Sequence, residues 1–223
     1  MRMMPTARSG TLLALNLSAL ALTACGGEAS SPSSALPSGC REASSPRPKH
    51  VDLRPSATRV SEKAKLKATV DTSCGRFAIA LDAAASPKTV SSFVHLARRG
   101  VYDETSFRRI VPGFVIQGGD PSETGSGGPG YSVTEEPRPS TQYTKGTVAM
   151  AKTALEPPGR SGSQFFVVTA TDAGLPPSYA TLGKVSSGWG AVKRIESLGD
   201  RGSGQVGTPR ATVVIRGITV GAR

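Results

Sequence analysis

The chain has 223 residues, with 27 basic and 16 acidic side chains, a net charge of +11 and a pI near 10.1. Hydrophobic residues make up 37% and there are 26 Gly and 17 Pro, which is too apolar for a wholly disordered chain and too rich in breakers for a helical bundle. The length fits one domain of roughly 150–200 residues with appendages, or at a stretch two small ones, and charge alone leaves nucleic acid, an anionic surface and plain solubility open.

Residues 1–24 read as a secretory signal. Arg2 and Arg8 form a basic start, and Thr11 to Ala21 form an apolar run too short for a permanent membrane span. Leu22-Thr23-Ala24-Cys25, followed by Gly26-Gly27, resembles a bacterial lipobox. That resemblance implies cleavage before Cys25 and acyl chains on Cys25 that anchor the protein to the outer side of the cell membrane. Removing Arg2 and Arg8 takes +11 to +9, so the surplus charge belongs mostly to the exported chain. Disulfides are permitted there, and with Cys25 lipidated, Cys40 and Cys74 remain as a candidate pair, two free thiols being the alternative. Residues 25–65 are rich in Ser, Pro, Ala and Lys without an apolar period, and are expected to be a disordered tether. The folded domain is then 66–223.

Within it, Lys67 to Val70 and Arg76 to Leu81 read as two strands about a turn at Ser73-Cys74-Gly75. Ser86 is placed to cap a helix with Pro87 at its first position. Val90, Phe93, Val94 and Ala97 make its apolar stripe, and Gly100 closes it. His95 lies off that stripe and is expected on the solvated surface. Strand-like runs follow at Ser106 to Ile110, Phe114 to Gln117, Thr147 to Ala151, Phe165 to Thr169, Thr181 to Val185 and Val213 to Val220. A second helix covers Trp189 to Leu198, with Val192 and Ile195 inward. Short strands separated by Gly and Pro predict a mainly β barrel or sandwich.

Three segments carry the functional signal: Ser106 to Pro121 (SFRRIVPGFVIQGGDP), Gly146 to Ala151 (GTVAMA) and Gly162 to Thr169 (GSQFFVVT). In extended chain Arg109, Val115 and Gln117 share a parity, although Pro112-Gly113 can shift it, and Gln164 and Phe166 project to one face. An aromatic patch with one Arg and two Gln, and no carboxylate beside them, suits a neutral peptide better than a phosphate or a metal. No C-x-x-C is present and the only histidines are His50 and His95, so neither a metal nor another cofactor is expected.

These blocks resemble, in order and spacing, those of the cyclophilin family of peptidyl-prolyl cis–trans isomerases, over roughly Thr69 to Val220. The resemblance implies a closed eight-stranded antiparallel β-barrel capped by two helices. It places the active-site arginine on Arg109 and the substrate-orienting glutamine on Gln117. The proline pocket falls on Phe114, Val115, Phe166 and Leu175, with Tyr179 where many members have histidine. Gly125, Ala151, Lys152, Thr153 and Gln164 match positions lining the groove for residues before proline. Val115 replaces the usual methionine, Lys152 a common asparagine, and Gly174 a tryptophan that helps hold cyclosporin, which implies weak inhibition by that drug. The Thr153 to Gly162 loop is longer than in short members. The implied partners are proline-containing polypeptides, with a monomer as the default.

Competing chemistries lack their parts. Ser161 and Ser163 do not sit in G-x-S-x-G, and the two histidines make a poor triad supply. Gly125 to Gly130 is followed by no Lys-Ser/Thr and sits in no βαβ unit, so it is not a phosphate loop. No basic stripe interleaved with aromatics supports nucleic-acid binding. A non-catalytic prolyl-peptide-binding or chaperone module on the same fold is the remaining alternative.

Overall fold

In antiparallel strands successive side chains point to opposite faces, and here that alternation separates a core from a site. The computed structural model describes residues 35–223; the signal and Cys25 lie outside the described residues. The strands are β1 (Leu66–Thr72), β2 (Gly75–Leu81), β3 (Thr105–Ser106), β4 (Arg109–Val111), β5 (Val115–Gly118), β6 (Val133–Thr134), β7 (Thr147–Met150), β8 (Arg160–Ser161), β9 (Phe165–Val168), β10 (Thr181–Ser187) and β11 (Val214–Ala222). Two helices, α1 (Pro87–Arg98) and α2 (Trp189–Glu196), and a 3-10 segment at Arg201–Val206 complete the elements. Nine strands form one curled antiparallel sheet in the order β3-β11-β1-β2-β10-β7-β9-β5-β4, and β6 pairs with β8 in a separate ribbon. The sheet's end strands, β3 and β4, are separated in the chain only by Phe107 and Arg108.

Ile110, Ile116, Val167 and Val148 stand opposite one another across β4, β5, β9 and β7 and are fully buried. They join Phe165, whose ring meets Phe93, Tyr102 and Phe107 edge-on at centroid distances of 6.0, 5.8 and 5.9 Å, the geometry that the aromatic quadrupole favours. Their sequence neighbours Val115, Ala149, Phe166 and Val168 form a second, smaller cluster on the opposite face, around Tyr143.

The helices follow the apolar periods, with two differences. Ser86 is the N-cap of α1 by position, but its side chain makes no capping bond; its Oγ pairs with Thr181 Oγ1 at 3.0 Å. Glu135 caps instead, its carboxylate accepting from the backbone N–H of Lys88 (3.1 Å) and Thr89 (2.8 Å), where a negative charge also suits the helix dipole. His95 is half-buried, between buried Val94 and Leu96, rather than fully solvated.

The larger correction concerns the expected tether. Residues 35–65 lack helix and strand, yet they lie against the domain as a strap. Leu36, Val51, Leu53 and Val60 pack on the core. The backbone N–H of Arg41, Lys49 and Leu53 donates to the carbonyls of Ser73, Pro121 and Pro129, and that of Val60 to Ser91 Oγ. Cys40 is joined to Cys74 by a disulfide. The Lys49 ammonium donates to the carbonyls of Gly100, Val101 and Asp103; burial lowers its pKa while Asp103, Glu104 and Glu123 oppose that shift. Pro-rich composition disfavours regular structure but not docking, because isolated aliphatic residues, backbone hydrogen bonds and a disulfide together hold an extended segment down.

Phe165 touches both helix-side and sheet-side aromatics with no exposed surface. Phe165→Ala is expected to lower the unfolding free energy by about 3–5 kcal/mol in chemical denaturation, the cost of a large buried cavity.

Candidate functional site

The pairing register builds the site. Arg109 on β4 stands opposite Gln117 on β5, Gln117 opposite Phe166 on β9, and Phe166 opposite Ala149 on β7. These four residues form one row across four strands, one position out of step with the buried Ile110–Ile116–Val167–Val148 row. Val115 and Val168 pair in the next row on the same face.

An open cavity of about 360 Å³ sits on this face, lined by Arg109, Phe114, Val115, Gln117, Ala151, Lys152, Phe166, Leu175, Tyr179 and Gln205. Its floor is apolar. Phe166 and Tyr179 meet edge-on at 5.4 Å, and Tyr143 backs both rings at 6.4 and 5.8 Å. The Tyr143 hydroxyl donates to the Tyr179 carbonyl (2.6 Å) and accepts from the Tyr179 N–H (2.9 Å), so one buried group holds that wall by both of its backbone polar atoms. Phe114 lies just before β5; its carbonyl accepts from the N–H of Thr169 and Ala170, fixing the turn that Gly113 makes at φ +75°.

Arg109 overhangs one edge. Its Nε donates to the Gln205 carbonyl (3.0 Å), Nη2 to Gln205 Oε1 (3.4 Å) and Nη1 to Gln117 Oε1 (3.4 Å), and its guanidinium lies 5.6 Å from the Phe114 ring centroid. Among the described residues its partners are neutral oxygens, and it takes part in no salt bridge. Burial lowers its pKa, with Tyr179 acting in the other direction; a guanidinium starts so far above neutrality that it stays charged. A half-desolvated, uncompensated cation therefore faces an apolar pocket.

A chain of amides continues from it. Gln117 Nε2 donates to Gln164 Oε1 (3.3 Å), and Gln164 Nε2 donates to the carbonyls of Gly125 (3.0 Å) and Gly127 (3.1 Å). Buried Asp120 shapes that glycine loop by accepting from the N–H of Ser122, Gly125 and Gly127. A Cβ at Gly127 would run into the Asp120 carboxylate and the Ser122 hydroxyl, so a larger residue there would have to displace the groups that hold the loop. Gly125, Thr153 and Gln164 line a second groove of about 710 Å³, which shares Gln117, Ala151 and Lys152 with the pocket.

All twelve residues singled out for catalysis or substrate binding thus line one pocket or its adjoining groove. Lys152 folds back, its Nζ donating to the Thr153 and Glu156 carbonyls while lying 5.5 Å from the Tyr179 ring. Gly174, the chain neighbour of the pocket residue Leu175, has φ +61° and open space where a side chain would stand. Two contributors had no readable signal. Gln205 belongs to a Gly/Ser segment without a pattern, and Tyr143 to a polar loop whose burial depends on the fold. Tyr143→Phe is expected to cost about 1–3 kcal/mol by leaving both Tyr179 backbone groups unpaired, with faster amide hydrogen exchange at Tyr179 as its local signature.

Comparison with known proteins agrees with this geometry. Residues 67–220 match the family described as cyclophilin type peptidyl-prolyl cis-trans isomerase/CLD. A peptidyl-prolyl cis-trans isomerase-like 2 of Cryptococcus neoformans is 35% identical over 75% of this chain, which spans 29% of that protein's length. A peptidyl-prolyl cis-trans isomerase-like 1 of Bos taurus is 40% identical over 56% of this chain and 76% of its own. A crystal structure of a Cryptosporidium parvum cyclophilin-type isomerase, in the presence of the dipeptide Ala-Pro, covers 70% of this chain and 99% of its own with a TM-score of 0.63 at 28% identity. The chain belongs to the cyclophilin-type peptidyl-prolyl cis-trans isomerase family.

Proposed function

We propose that this chain is a peptidyl-prolyl cis–trans isomerase that acts outside the cytoplasm on exported polypeptides, as a monomer tethered to the cell membrane through lipid on Cys25. The observation that carries the catalytic part is the uncompensated guanidinium of Arg109 beside the apolar pocket of Phe114, Val115, Phe166 and Leu175. The leader pattern of residues 1–24 supports the location, and the Cys40–Cys74 bridge is compatible with it. The same reading takes the curled sheet as a closed eight-stranded barrel, β3 and β4 being one strand interrupted at Phe107 and Arg108.

A peptide C–N bond resists rotation because the nitrogen lone pair is delocalised, with a barrier of about 18–20 kcal/mol. X-Pro bonds populate both isomers but exchange over tens to hundreds of seconds. The pocket grips the prolyl ring by apolar contact. Gln117 and Gln164, held by each other and by the glycine loop, orient the substrate backbone, and the groove beyond them takes the residues before proline. Arg109 directs its charge at the prolyl nitrogen, whose lone pair becomes localised only when the bond is twisted. The interaction is then stronger in the transition state than in either ground state, which is the condition for rate acceleration. No bond breaks, so no nucleophile or cofactor takes part.

An isomerisation assay on a cis-enriched Ala-Ala-Pro-Phe peptide tests this. The intact protein is expected to accelerate exchange, and Arg109→Ala to lower kcat/KM by about 100–1,000-fold, the range for losing one preorganised electrostatic donor. An inactive intact protein would support a binding module instead, and an unchanged rate in the variant would remove Arg109 from the mechanism.

A further inference from the structure

One side chain ties the glycine loop back to the segment that carries Arg109. Thr124, Gly125 and Ser126 are exposed, yet the side chain of Glu123 just before them is only 8% exposed. Its carboxylate accepts from the Ser106 N–H (2.8 Å) and the Ser106 hydroxyl (2.5 Å), and Arg108 Nη1 lies 3.7 Å away. Ser106 is buried at the end of β3, three residues before Arg109. Glu123 pays for this position with φ +56°, one of two non-glycine residues in the left-handed region among the described residues. Glycine would stand there without strain, whereas a residue with a Cβ is disfavoured. The backbone therefore gives no reason for a glutamate at 123; its carboxylate does.

The contacts of that carboxylate close a ring through the site. Ser106 is bonded to Glu123, whose N–H donates to the Asp120 carbonyl (3.3 Å). The Asp120 carboxylate holds the N–H groups of Gly125 and Gly127, and the carbonyls of the same two glycines hold Gln164. Gln164 accepts from Gln117, and Gln117 accepts from Arg109, back on the segment where the ring began. The strap fastens the two ends of the loop, at Pro121 and Pro129. Among the described residues, the hydrogen bonds between the loop and the β3–β4 segment are those that Glu123 accepts from Ser106. Its salt bridge is with Arg108, so Arg109 keeps its charge uncompensated.

We propose that Glu123 is a positioning residue of the isomerase site. Its carboxylate sets the glycine loop, and through Gly125 and Gly127 the Gln164–Gln117 pair, at the spacing from Arg109 that a prolyl peptide needs. The inference rests on the reading above in taking these amides as the groups that orient the substrate backbone. Glu123 itself touches no substrate, because Ser106 and Arg108 occupy its oxygens.

Three variants of the full chain test the clamp. Glu123→Gly removes the carboxylate while suiting the backbone, Glu123→Gln keeps an acceptor and a donor for Ser106 without the charge, and Ser106→Ala removes one bond from the other side. Nitrogen-15 NMR reads the side-chain amides of Gln117 and Gln164, thermal melting reads the fold, and exchange on an Ala-Pro peptide reads kcat/KM. Glu123→Gly is expected to melt no lower than the parent, to shift both glutamine amides and to lower kcat/KM about fivefold or more. Glu123→Gln is expected to stay within about twofold of the parent, and Ser106→Ala to move the same resonances by less than Glu123→Gly. Glutamine amides unmoved in Glu123→Gly and Ser106→Ala, unchanged kcat/KM in a folded Glu123→Gly, or a glutamine variant as impaired as the glycine one would overturn the proposal. Shifted amides in a protein whose parent isomerises no peptide would overturn the enzymatic reading and leave the clamp standing.

Discussion

The structure depends on the pairing register of β4, β5, β9 and β7. Because side chains alternate along each strand, one register decides two things together. It buries Ile110, Ile116, Val167 and Val148, and it places Arg109, Gln117, Phe166 and Ala149 in a row on the other face. A slip of one residue would expose the aliphatic row and bury the guanidinium, so the hydrophobic term holds the site in place. The consecutive aromatics Phe165 and Phe166 show the division at its sharpest, one joining the main core and the next the pocket.

The second requirement is a cation left without a counter-charge. Arg109 is held by the carbonyl and amide oxygens of Gln205 and Gln117, which orient it without neutralising it. A carboxylate in either place would give a tighter local bond and a weaker field toward the pocket. The holding segment is itself constrained. The Asp200 side chain caps the 3-10 turn by accepting from the Gly202 N–H, and Gly207, at φ +70°, passes so close that a Cβ would lie 3.0 Å from Arg109 Cγ. The polar lining of the pocket and its groove thus includes amides, glycine carbonyls and the cations Arg109 and Lys152, with Lys152 folded back onto the Thr153 and Glu156 carbonyls.

Much of this was legible in the sequence, for reasons that particular residues make clear. Period-two runs such as Phe77, Ile79 and Leu81 and the stripe Val90, Phe93, Val94 and Ala97 announce their elements, because alternation and helical spacing are local properties. Part of the site was legible because FRRIVPGFVIQGGDP and GSQFF are compact blocks, of which Arg109, Phe114, Val115, Gln117, Gln164 and Phe166 line the pocket or its groove while Phe107, Ile110, Ile116 and Phe165 enter the core. Non-local partners were not legible. Glu135 caps a helix that begins 48 residues earlier in the chain, at Pro87. Gln205 reaches Arg109 from the far end of the domain, and Tyr143 holds Tyr179 through a hydroxyl with no pattern around it. The strap failed for a related reason. Proline and serine speak against helix and strand, but whether Leu36, Val51, Leu53 and Val60 find a surface depends on the folded domain they lie on.

The central claim is that Arg109 acts on the twisted bond rather than on the bound peptide, and exchange spectroscopy separates the two. Two-dimensional NMR on an Ala-Pro peptide with substoichiometric protein gives the cis–trans exchange rate, while chemical-shift titration on the protein gives affinity. With Arg109→Lys, which keeps a charge but loses the planar fork, the account predicts affinity within about threefold of the parent and exchange slowed at least about tenfold. Exchange at the parental rate, or a loss of rate explained wholly by lost binding, would contradict it.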